Sequence, residues 1–452
     1  MEIDFLKLAN EYKNEALDML RDIVKFKTVL NEYKPESDAP FGKENKECLN
    51  WFLKKAKEDG FNTKNVFNYA GHIEYGSGSE LVGVLGHLDV VPAVGNWTND
   101  PFEAVIKDGK IFARGAADDK GPVIAAYFAL KMLKDLNVKF NKRVRLIVGC
   151  DEESGSRCLH HYFKHEEMPA YGFSPDAEFP LIYGEKGFAS FDVVGILDND
   201  SIINTWESGT RINIVPDVTK VTLKNDYSKE FQEFLNKNNY NGKIENNEYI
   251  IYGKNAHGSM PALGINSNTL MVEFIHSIKP CNFTNFYLNK LAYSHDGSKL
   301  DINYNYLDMG CVSTNPGIVN IKDNNILISV DCRVPSNDSF DEIKEKLSKA
   351  TSEYNLSFKM HETVKSHYVS PDSFLVKTLY NSYKEITGDN INKPFTIGGG
   401  TYAKFIPNCV AFGPIFPGEE EAIHCPDEYL IVDSFVKCIA IYAKSIYELV
   451  RE

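Results

Sequence analysis

One segment pairs a histidine with an aspartate at a spacing that suits a metal site. In LGHLDVVP, His87 and Asp89 lie two residues apart, directly after the apolar run 81–85. Residues i and i+2 of an extended chain share a face, so both side chains can enter one site at the end of a strand. A single His-x-Asp pair is more often incidental, so metal binding needs support from other segments.

Two further segments cluster carboxylates at the ends of predicted elements. RGAADDKG places Asp118 and Asp119 at the start of a predicted helix, where helix capping is the ordinary alternative role. CDEESG places Asp151, Glu152 and Glu153 where a buried strand ends. Three acids are costly to bury together unless cations offset their charge. A pair of metal ions would provide those cations.

Two later segments supply the remaining candidates. SPDAE carries Asp176 and Glu178, and IHCPDE carries His424, Asp427 and Glu428. The candidate ligands near the ends of successive predicted strands are His87, Asp118, Glu153, Asp176 and His424. Two imidazoles and three carboxylates suit zinc or a similar divalent ion. If one carboxylate bridges, five ligands can hold two ions ~3.5–4 Å apart.

The elements that must position these residues alternate between strand and helix. The β-branched runs 81–85 and 144–148 predict buried strands, and 119–136 predicts a helix whose Pro122 lies in the first turn. Further predicted elements are a helix over 370–387, a strand over 410–413 and an amphipathic helix over 432–450. We therefore expect an α/β fold with a mixed, largely parallel sheet between helices.

The pattern changes in the middle of the chain, which predicts a second domain. Over 187–368 the segments are shorter and richer in Asn and Lys. We expect a discontinuous catalytic domain over 1–186 and 369–452, and an inserted α+β lid domain over 187–368.

The composition limits which classes of partner the protein can bind and which cellular compartment suits it. The formal charge is −14 over 452 residues, which disfavours nucleic acid and anionic membranes. The sequence has neither a signal-peptide pattern nor an apolar run of ~18 residues. Nine cysteines without a CxxC pair fit the cytoplasm. Cys150, Cys158 and Cys425 lie near the candidate ligands, and we expect all three to be buried in apolar surroundings.

In combination these motifs resemble a family of co-catalytic zinc metallopeptidases. The family includes carboxypeptidase G, succinyl-diaminopimelate desuccinylase, acetylornithine deacetylase and carnosinase. The sequence is most similar to the PepV-like dipeptidases, through GHLDVVP from Gly86, ADDKGP from Ala117, FSPDAEFP from Phe173, GEKG from Gly184 and TIGGGTY from Thr396. The resemblance runs from about residue 15 to the last predicted helix.

The resemblance implies a role for each candidate. It assigns His87 and Asp176 to one metal, Glu153 and His424 to the other, and Asp118 to the bridge between them. Asp89 would orient the His87 imidazole, and Glu152 would be the general base. The cofactor would be two divalent ions, zinc first, with manganese or cobalt as alternatives.

The resemblance also implies substrate residues in the inserted domain. His257, in GKNAHGSMP, would stabilise the tetrahedral oxyanion. Asn213, in NIVPD, would position the substrate, although Ile214 replaces the Met usual in the family. Arg333, in DCRVP, would grip a substrate carboxylate. Without the family match, a surface loop, a turn or a surface ion pair is an equally good explanation of these three residues.

A glycine run precedes a helix-like segment near the end of the chain. The run comprises Gly398, Gly399, Gly400 and Thr401, and it lacks the Lys and Ser/Thr spacing of a phosphate loop. Close approach of the main chain to a substrate carboxylate is one interpretation, and a structural turn is the other.

Three functions are compatible with these residues. The first is a dipeptidase acting on small peptides, and the second is an N-acyl-amino-acid deacylase or desuccinylase, because the metals do not distinguish acyl groups. The third is a non-catalytic metal- or peptide-binding protein. Glu152 beside Glu153, together with His257, argues against the third, since binding alone needs no base. The closest motifs favour the dipeptidase.

The length of the inserted domain bears on assembly. In dimeric relatives the oxyanion histidine comes from the partner's lid. Here the inserted stretch is roughly 180 residues, well above a single small module. It resembles the longer lids that cover the site within one chain. We expect a monomer, with a dimer as the alternative.

Overall fold

The structure is a computed structural model that describes residues 3–335, 340–420 and 422–451. The α-helices of this part are α1 (Phe5–Ile23), α2 (Lys43–Glu58), α3 (Lys120–Asp135), α4 (Arg157–Tyr162), α5 (Ser228–Asn238), α6 (Ser267–Ile278), α7 (Asn282–Phe286), α8 (Phe340–Ser352), α9 (Phe374–Thr387) and α10 (Val432–Val450). The strands are β1 (Asn62–Val66), β2 (Ala70–Gly76), β3 (Leu81–His87), β4 (Val105–Lys107), β5 (Lys110–Phe112), β6 (Arg143–Gly149), β7 (Tyr171–Ser174), β8 (Ala177–Glu178), β9 (Ile182–Glu185), β10 (Gly187–Phe188), β11 (Phe191–Ile196), β12 (Ile203–Ser208), β13 (Val218–Leu223), β14 (Asn241–Glu245), β15 (Glu248–Tyr252), β16 (Ser313–Lys322), β17 (Asn325–Val334), β18 (Leu356–Met360), β19 (His367–Tyr368), β20 (Phe395–Ile397), β21 (Cys409–Ala411), β22 (Pro414–Ile415) and β23 (Tyr429–Ile431).

The chain forms two compact units. The first unit consists of Met1–Gly184, His367–Thr396 and Gly400–Glu452. The second consists of Glu185–Ser366 and Ile397–Gly399. The first unit is therefore discontinuous in sequence.

The first unit is built on a mixed sheet with the strand order β1-β2-β6-β3-β7-β21-β9-β19, and β20 pairs with β9. The central pairs β6–β3, β3–β7 and β7–β21 are parallel, whereas β1–β2 and β2–β6 are antiparallel. Every residue of β3 is buried, which explains its continuous apolar sequence. Because β3, β6 and β7 run in the same direction, their carboxyl ends meet at one edge of the sheet.

Helices α1, α3, α9 and α10 pack together in the first unit, and α2 packs on β1 and β2. Pro122 lies in the first turn of α3, where its missing N–H leaves no unmade helical bond. Helix α10 covers the predicted range. Helix α9 begins at Phe374 instead of 370, because the Ser373 side chain accepts a hydrogen bond from the Val376 N–H and caps the helix there. The predicted strand over 410–413 is also shifted, since β21 ends at Ala411.

The second unit is an α+β structure built on one antiparallel sheet. Its strand order is β14-β15-β13-β12-β16-β17-β11-β18, and β10 pairs with β17. Helix α6 packs on β12, β13 and β15, and α8 packs on β18. Buried side chains such as Trp206, Phe274 and Ile328 belong to its apolar core.

No helix within the described residues combines the length and the apolar composition needed to cross a membrane. The cysteine prediction is wrong at one position. Cys150 and Cys158 are buried, but Cys425 is exposed, because it lies in a surface turn before β23.

A buried histidine in β2 makes the stability of the first unit depend on pH. His72 accepts a hydrogen bond at Nδ1 from the Tyr162 hydroxyl, at 2.7 Å, and the same hydroxyl accepts from Arg145. Burial and the positive charge of Arg145 lower the pKa of His72 to about 3. The folded state therefore holds this imidazole neutral, while the unfolded chain protonates it near its ordinary pKa of about 6.5.

We expect His72 to reduce the stability of the protein in mild acid. A lowered folded-state pKa means that its contribution is fully present above pH ~6.5 and is lost as the pH falls towards 3. Between pH 7 and pH 5 the loss is about 2 kcal/mol in the free energy of unfolding. Urea unfolding of wild type and His72→Asn at both pH values measures it, and the variant should lose about 2 kcal/mol less. His160→Asn, on the exposed face of α4, is the control. Identical pH dependence of wild type and His72→Asn would contradict the prediction.

Candidate metal centre

The predicted metal residues of the first unit come together at the carboxyl edge of its parallel strands. His87 is the last residue of β3, Glu153 follows β6, and Asp176 follows β7. Asp118 lies in the turn before α3, and His424 precedes β23. These five side chains come from five separate places in the chain, and the sheet brings them to one site.

Asp118 contacts both imidazoles, one with each carboxylate oxygen. Its Oδ1 lies 3.0 Å from Nε2 of His87, and its Oδ2 lies 2.9 Å from Nε2 of His424. The same His424 nitrogen lies 3.1 Å from Oε1 of Glu153, and the His87 nitrogen lies 3.7 Å from Oδ2 of Asp176. A carboxylate with an imidazole at each oxygen has the arrangement of a bridging ligand.

Two groups of side chains have ligand atoms close enough to share an ion. One group is His87, Asp118 and Glu153, and the other is His87, Asp119 and Asp176. The Nε2 atom of His87 and the Oδ1 atom of Asp119 are buried and make no hydrogen bond of good geometry to any described residue. Buried polar atoms without partners are rare, and a ligand is one explanation. The residues present therefore fit divalent metal ions of the type that mixed nitrogen and oxygen donors prefer.

The electrostatics of this cluster are those of acids crowded around two histidines. Burial opposes ionisation of Asp118, but the close contacts of its carboxylate with the imidazoles of His424 and His87 hold its pKa well below the usual range. The same contacts to Asp118 and Glu153 raise the pKa of His424 to about 10. Burial and nearby Asp119 and Asp118 raise the pKa of Asp176 well above its ordinary value. The cluster holds more acids than its two imidazoles can neutralise, which favours binding of cations.

Glu152 lies beside the ligand candidate Glu153, and the pKa of both carboxyl groups is raised, chiefly by burial. Burial raises the pKa of Glu152 to about 8, and the neighbouring Glu153, Asp118 and Asp89 add to the shift against the opposing effect of His87. A carboxylate with a raised pKa can accept a proton and hold it near neutral pH. This is the property that a general base needs.

Asp89 connects β3 to the segment that follows β6. Its Oδ1 accepts from the Glu152 N–H at 3.0 Å, and its Oδ2 accepts from the Glu153 N–H at 3.1 Å. The Nδ1 atom of His87 lies 3.5 Å from the Asp89 carboxylate but 3.0 Å from its main-chain oxygen. Asp89 therefore holds Glu152 and Glu153 in place through their main chain, in addition to its contact with the imidazole.

Two further residues, Asp119 and Tyr402, support the centre in ways that their sequence motifs do not predict. The Oδ2 atom of Asp119 accepts from the His87 N–H at 2.9 Å and fixes the end of β3 against the start of α3. The ring of Tyr402 lies edge-on to His87 with centroids 6.0 Å apart, and its hydroxyl lies 2.9 Å from Sγ of Cys158. The position of Asp119 next to Asp118 in the sequence could have indicated the role of Asp119. No local feature of the sequence indicated the role of Tyr402.

The structure places three of the predicted substrate residues together within the second unit. The Asn213 carbonyl accepts from the Gly258 N–H at 2.7 Å, which joins the Asn213 segment to the His257 segment. Arg333 donates from Nε to Asp331 at 3.0 Å and packs over the Phe188 ring. Burial and the charge of Arg333 lower the pKa of His257, so its imidazole is neutral near pH 7.

The glycine run is divided between the two units. The Gly398 carbonyl accepts from Nη1 of Arg333 at 2.5 Å, so this glycine orients the guanidinium. Gly399 and Gly400 are half-buried. The Thr401 side chain accepts from the Ala403 N–H at 3.1 Å and caps the 3₁₀ turn Tyr402–Phe405.

The mixed sheet with histidines and carboxylates gathered at its carboxyl edge defines a metal-binding α/β protein. The profile of peptidase family M20/M25/M40 matches residues 83–448, and the chain belongs to this family. The family resemblance drawn from the motifs is confirmed.

Relatives in sequence and solved structures both match this protein over nearly the whole chain. A protein of Staphylococcus epidermidis named "Putative dipeptidase" is 37% identical over 462 residues, which cover 98% of each chain. The "Putative dipeptidase YtjP" of Bacillus subtilis is 38% identical over 455 residues, covering 96% of this chain and 97% of that one. The crystal structure of human carnosine dipeptidase 1 superposes with a TM-score of 0.59 at 16% identity and covers 98% of both chains, which shows that the fold is shared.

Proposed function

We propose that this protein is a metal-dependent dipeptidase that hydrolyses the peptide bond of small dipeptides. The observation that carries the proposal is the contact of both Asp118 oxygens with the two imidazoles, beside a carboxyl group whose pKa is raised. The relatives named as dipeptidases support the choice of substrate.

We assign the metal residues as His87 and Asp176 for one ion, Glu153 and His424 for the other, and Asp118 between them. Bound ions would acidify a shared water and polarise the scissile carbonyl. Zinc is the proposed metal, because the set combines imidazoles with carboxylates, and manganese or cobalt would be accepted by the same donors.

The chain's own residues then carry the proton. Glu152 takes the proton of the attacking water and returns it to the departing amine, so one carboxylate serves both steps. Asp89 keeps Glu152 in place through its main-chain N–H. Each transfer needs the carboxyl group to change its protonation state near neutral pH, which a pKa of about 8 permits.

We propose that the second unit is the lid domain and supplies the groups that recognise substrate. A neutral His257 can donate a hydrogen bond to the oxyanion, and Arg333 can bind the carboxylate of the dipeptide. Asp331 and the Gly398 carbonyl hold Arg333 by two of its N–H groups, and within the described residues the rest of the planar fork would serve a ligand. Asn213 would position the substrate beside them.

Compartment and assembly are part of the proposal. The structure shows no disulfide among the cysteines that it describes, in keeping with a cytoplasmic location. The length of the second unit supports the proposal of a monomer, with a dimer as the alternative.

Removal and return of metal, with a panel of substrates, tests the function. We expect chelated protein to lose cleavage of Ala–Ala and carnosine, and Zn²⁺, Mn²⁺ or Co²⁺ to restore it. N-acetyl-amino acids, assayed in parallel, are the matched amide substrates without a free amino group. Hydrolysis restricted to the acetylated compounds would replace the dipeptidase proposal by a deacylase. If no member of the panel were cleaved with any of the three ions, a non-catalytic binding role would replace the dipeptidase proposal.

A further inference from the structure

A buried carboxylate that is not itself a candidate ligand joins the two loops of the metal centre. Glu428 is fully buried, four residues after His424. Its Oε1 accepts from the Gly115 N–H at 3.0 Å, the Ala117 N–H at 3.0 Å and the Asp118 N–H at 3.3 Å. One oxygen therefore receives three main-chain donors of the turn that carries the proposed bridging carboxylate.

The turn that Glu428 holds has a shape that needs such support. Gly115 has a φ of +86°, which lets the chain turn back so that the three N–H groups converge on one point. A convergent set of main-chain N–H groups is an anion-binding arrangement, and here the anion is a side chain of the same protein. The other carboxylate oxygen of Glu428 accepts from Nη1 of Arg114 at 2.5 Å.

The main chain around Glu428 is fixed to the same segment. The Ala113 N–H donates to the Glu428 carbonyl at 3.1 Å, and β23 continues this pairing with β5. On the other side, Asp427 accepts from the N–H and the hydroxyl of Thr98 at 2.8 and 2.7 Å. The loop that carries His424 is therefore held in place at its C-terminal end, by the contacts of Asp427 and Glu428.

We propose that Glu428 is a positioning residue of the metal centre. Its carboxylate sets the place of Asp118 relative to His424, so that one oxygen of Asp118 faces His424 and the other faces His87. The inference rests on the proposed metal centre. It assigns to Glu428 a function beyond the stability of its ion pair with Arg114.

A pair of variants separates positioning from stability. Glu428→Gln keeps the size of the side chain but replaces charge-assisted hydrogen bonds by weaker neutral ones, and it leaves Arg114 buried without its counter-charge. The double variant Arg114→Gln with Glu428→Gln removes both charges, so the penalty for an unpaired buried charge disappears. If the pair serves stability alone, the double variant recovers both stability and metal binding.

The experiment titrates Co²⁺ into the chelated full-length protein and follows visible absorption, which reports affinity and ligand geometry together. Urea unfolding of the same samples reports stability. We expect the double variant to regain most of the stability lost by Glu428→Gln, while its Co²⁺ affinity stays roughly 10–100-fold below wild type. Asp433→Asn, an exposed acid five residues further on, is the control and should match wild type in both measurements.

Three outcomes would overturn one or both claims. Wild-type Co²⁺ affinity and spectrum in the double variant would overturn the role of Glu428. Fast main-chain hydrogen exchange of wild-type residues 115–118, at the rate of an exposed loop, would overturn it even if the variants fail to fold. Absence of Co²⁺ binding by wild type would overturn the proposed metal centre itself, and the two failures are therefore distinguishable.

Discussion

Glu152→Gln is expected to lower kcat for a cleaved dipeptide by roughly 10²–10⁴-fold, the usual contribution of a general acid–base group. The carboxamide keeps the size of the side chain but can neither take the proton from water nor return it to the amine. The main-chain contacts of this residue with Asp89 are unchanged by the substitution. Metal content and the urea midpoint should therefore stay at wild-type values. Steady-state kinetics and elemental analysis on the same preparation measure the effect.

Glu103→Gln is the matched control, because it makes the same chemical change at an exposed position of the first unit. It should leave kcat and KM unchanged. A Glu152→Gln enzyme within threefold of wild type would remove Glu152 from the mechanism. A variant that lost activity together with its metal would instead make Glu152 a ligand.

Asp118→Asn is expected to give the largest loss of metal binding. Asp118 presents one oxygen to His87 and the other to His424, whereas a carboxamide offers one oxygen and one N–H and carries no charge. The loss of affinity should exceed the roughly 10–100-fold that is typical when a partner of a ligand is removed. Activity should fall with metal occupancy. Metal content after gel filtration in buffer without added ions, together with kcat/KM at saturating Zn²⁺, measures both effects.

Asp108→Asn provides the control for this substitution. Asp108 lies in an exposed turn with a φ of +51°, a conformation that asparagine adopts readily. Metal content and activity should be those of wild type. Retention of the full wild-type metal content by Asp118→Asn would show that this residue does not bridge, and the second group of ligand atoms, with Asp119 and Asp176, would become the better candidate.

The local sequence pattern was sufficient to predict the bounds of a helix or strand where the element is strongly apolar and characteristic residues lie at its ends. Strand β3 and helix α10 follow their predicted ranges closely, because their apolar residues are continuous or periodic. The start of α9 was predicted too early, since the capping serine is one of two serines near that end and only its contact with Val376 distinguishes it. Cys425 was predicted as buried from its neighbours in sequence, but burial depends on what the fold places beside a residue.

The candidate ligands His87, Asp118 and Glu153 were recognisable because each one follows a predicted strand or precedes a predicted helix. The residues that hold the candidate ligands and their loops in place were not recognisable from local position. Thr98 and Asp427 are 329 positions apart, and Asp118 and Glu428 are 310 positions apart. No local spacing connects such pairs, and an acid inside a turn is ordinarily a solvated side chain or a cap.

The sequence by itself therefore determined the family, two of the strands that end at the centre, β3 and β6, and the side chains with metal-binding chemistry. Only the tertiary structure decided that both oxygens of Asp118 face imidazoles, that Asp89 holds the Glu152 segment by its main chain, and that Glu428 is buried under the turn before α3. The physical reason is that the capacity of a side chain to bind a metal depends on its residue type alone. The position of that side chain depends on hydrogen bonds between segments that meet only when the sheet is assembled.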